Sequence, residues 1–138
     1  MRRAATVLVS MLLGAAACGP SQPPGNRQWT DDLAMTITPD IIPPRAAERI
    51  KYTVVVRDKK SGQPIDAGQG RIFATNMSKA TVWNGLAKGD APGEYTTTIF
   101  YPTAGQWAVA MEFRRDSTQR LQRVDWQQEV AAATDSIR

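Results

Sequence analysis

The stretch Gly93-Glu94-Tyr95-Thr96-Thr97-Thr98-Ile99-Phe100-Tyr101-Pro102-Thr103-Ala104-Gly105-Gln106-Trp107-Ala108-Val109-Ala110-Met111-Glu112-Phe113 carries the plainest structural signal in this 138-residue chain. Tyr95, Thr97, Ile99 and Tyr101 share one face of a period-2 pattern, and Trp107, Val109, Met111 and Phe113 share one face of another. Alternation at this period puts successive side chains on opposite faces of a β-strand, so both segments read as strands with one buried face. The second strand's other face carries Ala108, Ala110, Glu112 and Arg114. Between the strands, Pro102-Thr103-Ala104-Gly105 reads as a turn, since proline presets φ and glycine admits conformations closed to other residues.

The same pattern extends in both directions. Leu33, Met35 and Ile37 alternate with Ala34, Thr36 and Thr38 before Asp40 to Pro44 breaks the strand, because proline cannot donate to a ladder. Ile50, Tyr52, Val54 and Val56 mark a longer strand, and Lys60-Ser61-Gly62-Gln63 marks the turn that follows. Arg71 to Ala74 and Thr81 to Trp83 read as short strands, the latter running into Asn84-Gly85, a strong tight-turn signal. A last strand spans about Gln119 to Val130, with Val124, Trp126 and Val130 on one side, and Ala131 to Ala133 forms a turn of helix or frays.

Short strands at this spacing, with no credible long helix, predict an all-β fold, an immunoglobulin-like antiparallel β-sandwich of about seven strands over residues 31–130, followed by a tail at 131–138. Gly93-x-Tyr95 is similar to the tyrosine corner of such sandwiches, in which a Tyr hydroxyl bonds backward to backbone. Trp107 is placed at the centre of the core, where its truncation ranks among the costliest substitutions.

The N-terminus supplies an address. Arg2-Arg3 is followed by an apolar run from Ala4 to Ala17, then by Cys18, the chain's one cysteine. A basic start, an apolar core and small residues before a cleavage point make a secretory signal peptide, here residues 1–17. The run is shorter than the ~20 residues a membrane span asks for. Leu12-Leu13-Gly14-Ala15-Ala16-Ala17-Cys18 resembles the lipobox of bacterial lipoproteins, in which the cysteine is acylated and becomes the mature N-terminus. Ala15-Ala16-Ala17 would also serve an ordinary secreted protein, but acylation disposes of a lone thiol that an oxidising compartment makes a liability. Residues 18–30, rich in Pro, Gly and Ser, read as a flexible tether. The expected location is a bacterial membrane surface facing away from the cytoplasm, either periplasm-facing or on the cell surface. Gly19, standing where an inner-membrane lipoprotein usually carries Asp, favours the outer membrane of a Gram-negative source.

Composition excludes more than it assigns. Loss of Arg2 and Arg3 with the signal leaves 15 basic against 13 acidic residues, net +2, too little to argue for nucleic acid. Arg114-Arg115 and Lys59-Lys60 read as solvated strand ends. With no histidine in the chain, there is no Ser-His-Asp or Cys-His catalysis and no His-ligated metal. Ser61 and Ser78 beside lysines are turn residues rather than Ser–Lys dyads. The chain is expected not to be an enzyme and to need no cofactor.

Tyr52-Thr-Val-Val-Val-Arg-Asp, Gly62-Gln-Pro64-Ile65, Gly93-Glu-Tyr95 and Gly105-Gln-Trp107-Ala-Val109 together resemble the YtkA-like and FixH-like extracytoplasmic domains, over approximately Leu33 to Phe113. The resemblance implies a membrane-tethered β-sandwich, and FixH-like proteins are associated with copper delivery and respiratory oxidase assembly. The more distantly similar CopC-like sandwiches bind copper through His and Met. This chain has no His, its Met35 and Met111 fall on apolar strand faces, and Met1 and Met11 leave with the signal, so Met77 is the one loop methionine and no metal site is expected. Asn76-Met77-Ser78 also fits a glycosylation sequon, a chance match in a bacterial lipoprotein. Trp83 and Tyr101 either form an exposed aromatic platform or pack, and packing is the expectation. The leading reading is a non-catalytic lipoprotein anchored through Cys18 that binds a protein of the envelope or respiratory chain. Recognition then uses sheet edges and the loops around Asn76–Trp83 and Asp90–Pro92, with Met77 and Trp83 as candidate binding residues. A copper carrier for oxidase assembly and a carbohydrate-binding module built on Trp83 are the alternatives.

Overall fold

The alternating segments become pleated strands. The computed structural model describes residues 25–135, and within them nine strands form two antiparallel sheets with no helix. In chain order they are β1 (Asn26–Trp29), β2 (Leu33–Pro39), β3 (Arg49–Asp58), β4 (Gln69–Asn76), β5 (Thr81–Gly85), β6 (Ala87–Lys88), β7 (Glu94–Phe100), β8 (Gly105–Arg114) and β9 (Gln122–Val130). One sheet has the order β1-β2-β3-β7-β6 and the other β5-β4-β8-β9. Their inner faces meet in one core: Leu33, Ile37, Tyr52, Val54 and Ile99 from the first sheet, and Ile72, Trp107, Met111 and Phe113 from the second. The all-β sandwich expected from the pattern is the fold observed.

Two strands exceed the expected seven. The tether assigned to 18–30 ends early, because Asn26–Trp29 pair with β2 from Asn26↔Ile37 to Trp29↔Ala34. This edge strand is held by backbone hydrogen bonding and carries no apolar face, so periodicity could not reveal it. The folded unit therefore begins at residue 26 rather than 31. The other is β6, two residues long and paired with Thr96 and Tyr95 of β7.

Asn84-Gly85 is not a hairpin turn. It closes β5, where Asn84 Nδ2 donates to Thr98 O of the facing sheet at 3.0 Å, and the chain crosses over through Leu86, whose N–H bonds Gly70 O at 2.9 Å. The β4–β5 hairpin turns instead at Asn76–Ala80, where Asn76 Oδ1 accepts the Ala80 N–H at 3.0 Å and Lys79 takes φ 62°. The side chain of Asn76 supplies the local bond that glycine freedom would otherwise have to replace. The final strand starts at Gln122, three residues after the expected Gln119. Ala131 makes a single bridge to Arg45, so the alanine run forms no helical turn among the described residues.

Arg115 departs from the solvated role expected of it. Its guanidinium reaches Asp58 at 2.6 Å and Asp32 at 3.1 Å, clipping the β8–β9 connection to the other sheet. The Ser61 N–H and this guanidinium hold the Asp58 carboxyl well below the usual carboxylate range. At the opposite end, the buried hydroxyls of Tyr52 and Tyr101 share a hydrogen bond of 2.8 Å. Burial pushes Tyr101 up to about 12 and Tyr52 higher still, so both are neutral in the fold.

Among the described residues one buried side-chain polar atom stands unpaired. Thr97 is 5% exposed, and its Oγ1 has no hydrogen-bond partner among the described residues. Leaving a hydroxyl desolvated and unsatisfied costs about 1–3 kcal/mol. Thr97→Val, which preserves shape and branching, is expected to raise stability by about 1 kcal/mol. In urea denaturation this is a higher midpoint at unchanged slope, and an unchanged or lower midpoint contradicts it.

Candidate functional site

The motifs that carry the family resemblance converge on two structural corners. At one, the Tyr95 hydroxyl donates to Ile65 O and accepts the Gly68 N–H at 2.9 Å, bonding backward to backbone as the tyrosine corner implies. Gly93 takes φ +71° where an added Cβ would meet Val56 O and Pro64, and its N–H donates to Asp66 Oδ1 at 2.7 Å. Asp66 also accepts from Lys88, and these two bonds, Lys88 foremost, lower its carboxyl below the ordinary value. At the other corner, Gly105 takes φ 115°, and Trp107 Nε1 donates to Thr103 O at 3.0 Å. Residues spent on these bonds build the sandwich and leave no open chemistry.

The outward face of the four-stranded sheet is different. Strand pairing aligns Trp83, Phe73, Ala110 and Asp125 in one row across β5, β4, β8 and β9. The next row holds Thr81, Thr75, Ala108 and Gln127, and the row on the other side Gly85, Arg71, Glu112 and Arg123. The guanidinium of Arg123 lies 4.9 Å from the Phe73 ring centroid and that of Arg71 lies 5.3 Å away, distances at which cations are attracted to an aromatic face. Each arginine is also paired, Arg71 with Glu112 at 3.1 Å and Arg123 with Asp125 at 2.8 Å. The charges of the ridge thus satisfy one another.

Beside the ridge lies a groove of about 290 Å³ lined by Thr75, Asn76, Met77, Gln106, Ala108 and Gln127. Ala108 is its floor, a small residue between taller ones on neighbouring strands. Met77 at its rim is 96% exposed. Trp83, one row away, is 65% exposed, against the packing expected of it. Tyr101 is fully buried against Trp107 at 5.3 Å, so the two aromatics considered as a platform are split between surface and core. Met77 and Trp83 share this face, whereas Asp90–Pro92 precedes Glu94, which pairs with Val55 at the far end of the sandwich.

Met35 and Met111 are core residues, as their strand faces implied, so Met77 has no second thioether beside it among the described residues. No group of three or more His, Cys, Asp or Glu able to hold a metal ion occurs among them either. Cys18 lies outside the described residues.

No family model and no curated protein matches the chain. Solved structures do. A DUF4426 family protein from Pseudomonas aeruginosa superposes with TM-score 0.61, covering 80% of this chain and 98% of its own at 10% identity. FetP from a uropathogenic E. coli strain gives TM-score 0.58, with 82% and 98% coverage at 11% identity. At such identities the likeness is one of fold, and the site must be argued from this chain's own residues.

Those residues include four that sequence reading did not single out: Phe73, Arg123, Gln106 and Gln127. Period-2 alternation puts each on an outward face, but which strands lie side by side decides their neighbours, and that is a property of topology. The groove also has a definite place. The start of β1 opposite Ile37, the β4–β5 hairpin, the turn at 102–104 and the Asp40–Pro44 loop lie at one end of the sandwich, tied by Asn76 Nδ2 to Thr103 Oγ1 at 3.3 Å. The chain thus enters the domain at the end where the groove opens.

Proposed function

We propose that this protein is an extracytoplasmic lipoprotein, anchored through Cys18, whose sandwich binds another component of the cell envelope without catalysing a reaction. The observation that carries the binding reading is Trp83, a large apolar side chain 65% exposed beside a groove, on a domain whose motif residues are otherwise consumed by packing. Large apolar side chains grouped on an otherwise polar face mark interaction surfaces. The anchor reading draws on the lipobox-like run ending at Cys18, eight residues before the first strand. It is supported by the resemblance to YtkA-like and FixH-like extracytoplasmic domains, and by the likeness in fold to FetP, a protein expressed in the periplasm for its structure.

Each buried methylene of an acyl chain contributes about 0.8 kcal/mol, so two or three chains hold a protein to a bilayer. Cys18→Ser is therefore expected to shift the protein from the membrane fraction to the soluble extracytoplasmic fraction almost completely, with loss of labelled palmitate incorporation. A serine variant that stays with the membranes overturns the anchor.

A further inference from the structure

We infer that the groove beside Trp83 binds a short neutral oligosaccharide bearing N-acetyl groups. This rests on the binding reading above and names the ligand class for it. The Trp83 indole makes no aromatic or cation–π pair among the described residues, in contrast to Phe73, which has two guanidinium groups over it. A flat, half-wet indole on a polar face suits a ligand with an apolar C–H face and a hydroxylated edge, and a pyranose ring is such a ligand.

The groove's lining narrows the choice. None of its six residues is charged, and the charges around it are of both signs: two arginine–carboxylate pairs, Glu129 opposite Gln106, and Lys79 in the hairpin beyond Met77. An ionic ligand finds no counter-charge in the lining itself and no cluster of one sign around it, so nucleic acid and acidic polymers are disfavoured. A ligand with hydroxyls and amides finds partners. The side chains of Thr75, Gln106 and Gln127 make no hydrogen bond among the described residues, whereas the Asn76 carboxamide is spent on the hairpin and on Thr103. A carboxamide offers both donor and acceptor, which matches the C=O and N–H of an acetamido group. The Ala108 methyl and the Met77 thioether supply an apolar floor and rim for its methyl.

The groove floor offers an extended peptide no backbone ladder. The floor strands β4 and β8 are both flanked by other strands, so their ladders are complete and offer no edge for strand addition. Over this floor, side chains alone do the recognition. Two strand spacings and one row separate Trp83 from Ala108, about 12 Å in all, so one oligosaccharide spans both. From Cys18 to Asn26 the chain extends at most about 27 Å, and it enters at the groove's end of the sandwich. A lipid at Cys18 keeps the groove within the layer of the envelope beside the membrane, where membrane-linked glycans lie.

The test uses the full chain with its anchor in detergent micelles, titrated calorimetrically with chitohexaose, with cellohexaose as the probe lacking acetamido groups. Chitohexaose is expected to bind at least about tenfold tighter than cellohexaose. Trp83→Ala is expected to weaken it at least about tenfold and Gln127→Ala about threefold to tenfold, with unfolding temperatures unchanged because both residues lie on the outer face. Equal affinity for the two sugars overturns the acetamido assignment. No binding at millimolar chitohexaose, or binding indifferent to Trp83→Ala, overturns the glycan site. A photo-crosslinking amino acid at position 83 separates the two proposals: protein adducts formed in intact envelopes without chitohexaose binding overturn the glycan and leave the binding reading standing. Membrane fractionation of Cys18→Ser tests the anchor independently of both.

Discussion

Trp107→Ala is expected to cost about 3–5 kcal/mol of folding stability, the largest loss from any single truncation in this chain. Trp107 is fully buried and is the largest such side chain in the core. It sits on β8 between β4 and β9, where Asn76 and Gln128 are its register partners. Three losses coincide on truncation. Its apolar area returns to solvent or leaves a cavity, and a central position flanked by paired strands cannot collapse to fill it. The edge-on contact with Tyr101 at 5.3 Å disappears, an arrangement worth about 0.5–1.5 kcal/mol beyond area. Thr103 O loses the indole N–H that closes the turn into β8. Domains of this size are stable by about 5–15 kcal/mol in total, so the variant retains only part of that margin. Its thermal midpoint should fall by roughly 15 °C. Trp107→Phe keeps most of the volume while losing the N–H, and should cost clearly less. A loss under about 1 kcal/mol for the alanine variant contradicts this account of the core.

The core was legible in the sequence because one inward-facing period governs it. Tyr95 through Phe113 announces two strands and their buried faces, and the structure places Tyr95, Ile99, Tyr101, Trp107, Val109, Met111 and Phe113 inside. Where apolar alternation is missing, the signal is missing too. Asn26–Trp29 has none, yet pairs with β2 because an open sheet edge offers unpaired backbone groups to any extended segment at hand. Asn84-Gly85 misleads for a related reason. The dipeptide favours a tight turn, but the inner faces of β5 and β7 belong to opposite sheets, and Asn84 spends its side chain on the crossing between them. The candidate site was half legible. Met77 and Trp83 stand out by residue type alone. Phe73, Gln106 and Gln127 do not, because an outward residue becomes part of a site through the residues of other strands beside it. Trp83 is exposed because β5 is an edge strand whose outward side no described residue covers, a matter of strand order that its own neighbours in sequence do not encode.

The second large effect concerns a residue with no side chain. Gly93→Ala is expected to cost about 3 kcal/mol, and the contrast with Gly62→Ala shows why. Both glycines lie at nearly the same left-handed conformation, Gly62 at φ +72° and Gly93 at φ +71°. An L-residue there costs roughly 1 kcal/mol from its own Cβ. At Gly62 that is the whole cost, since an added Cβ meets nothing within 4 Å. At Gly93 the added atom would stand 2.7 Å from Val56 O and 2.9 Å from Pro64 Cβ. Neither can yield freely: the Gly93 carbonyl accepts from Val56 N at 2.8 Å, and Ile65 N bonds Val56 O at 3.0 Å. Relief must come from moving Gly93 away, which stretches its N–H bond to Asp66 and displaces Tyr95 two residues on from Ile65 O and Gly68 N. The closely packed corner therefore transmits one methyl group into several hydrogen bonds, whereas the open turn absorbs it. Urea denaturation of the two variants should differ by about 2 kcal/mol, the part owed to packing rather than to backbone conformation. If both variants lose the same amount, the corner is no tighter than the turn. The motif residues Pro64, Gly93 and Tyr95 would then owe their arrangement to something other than mutual contact.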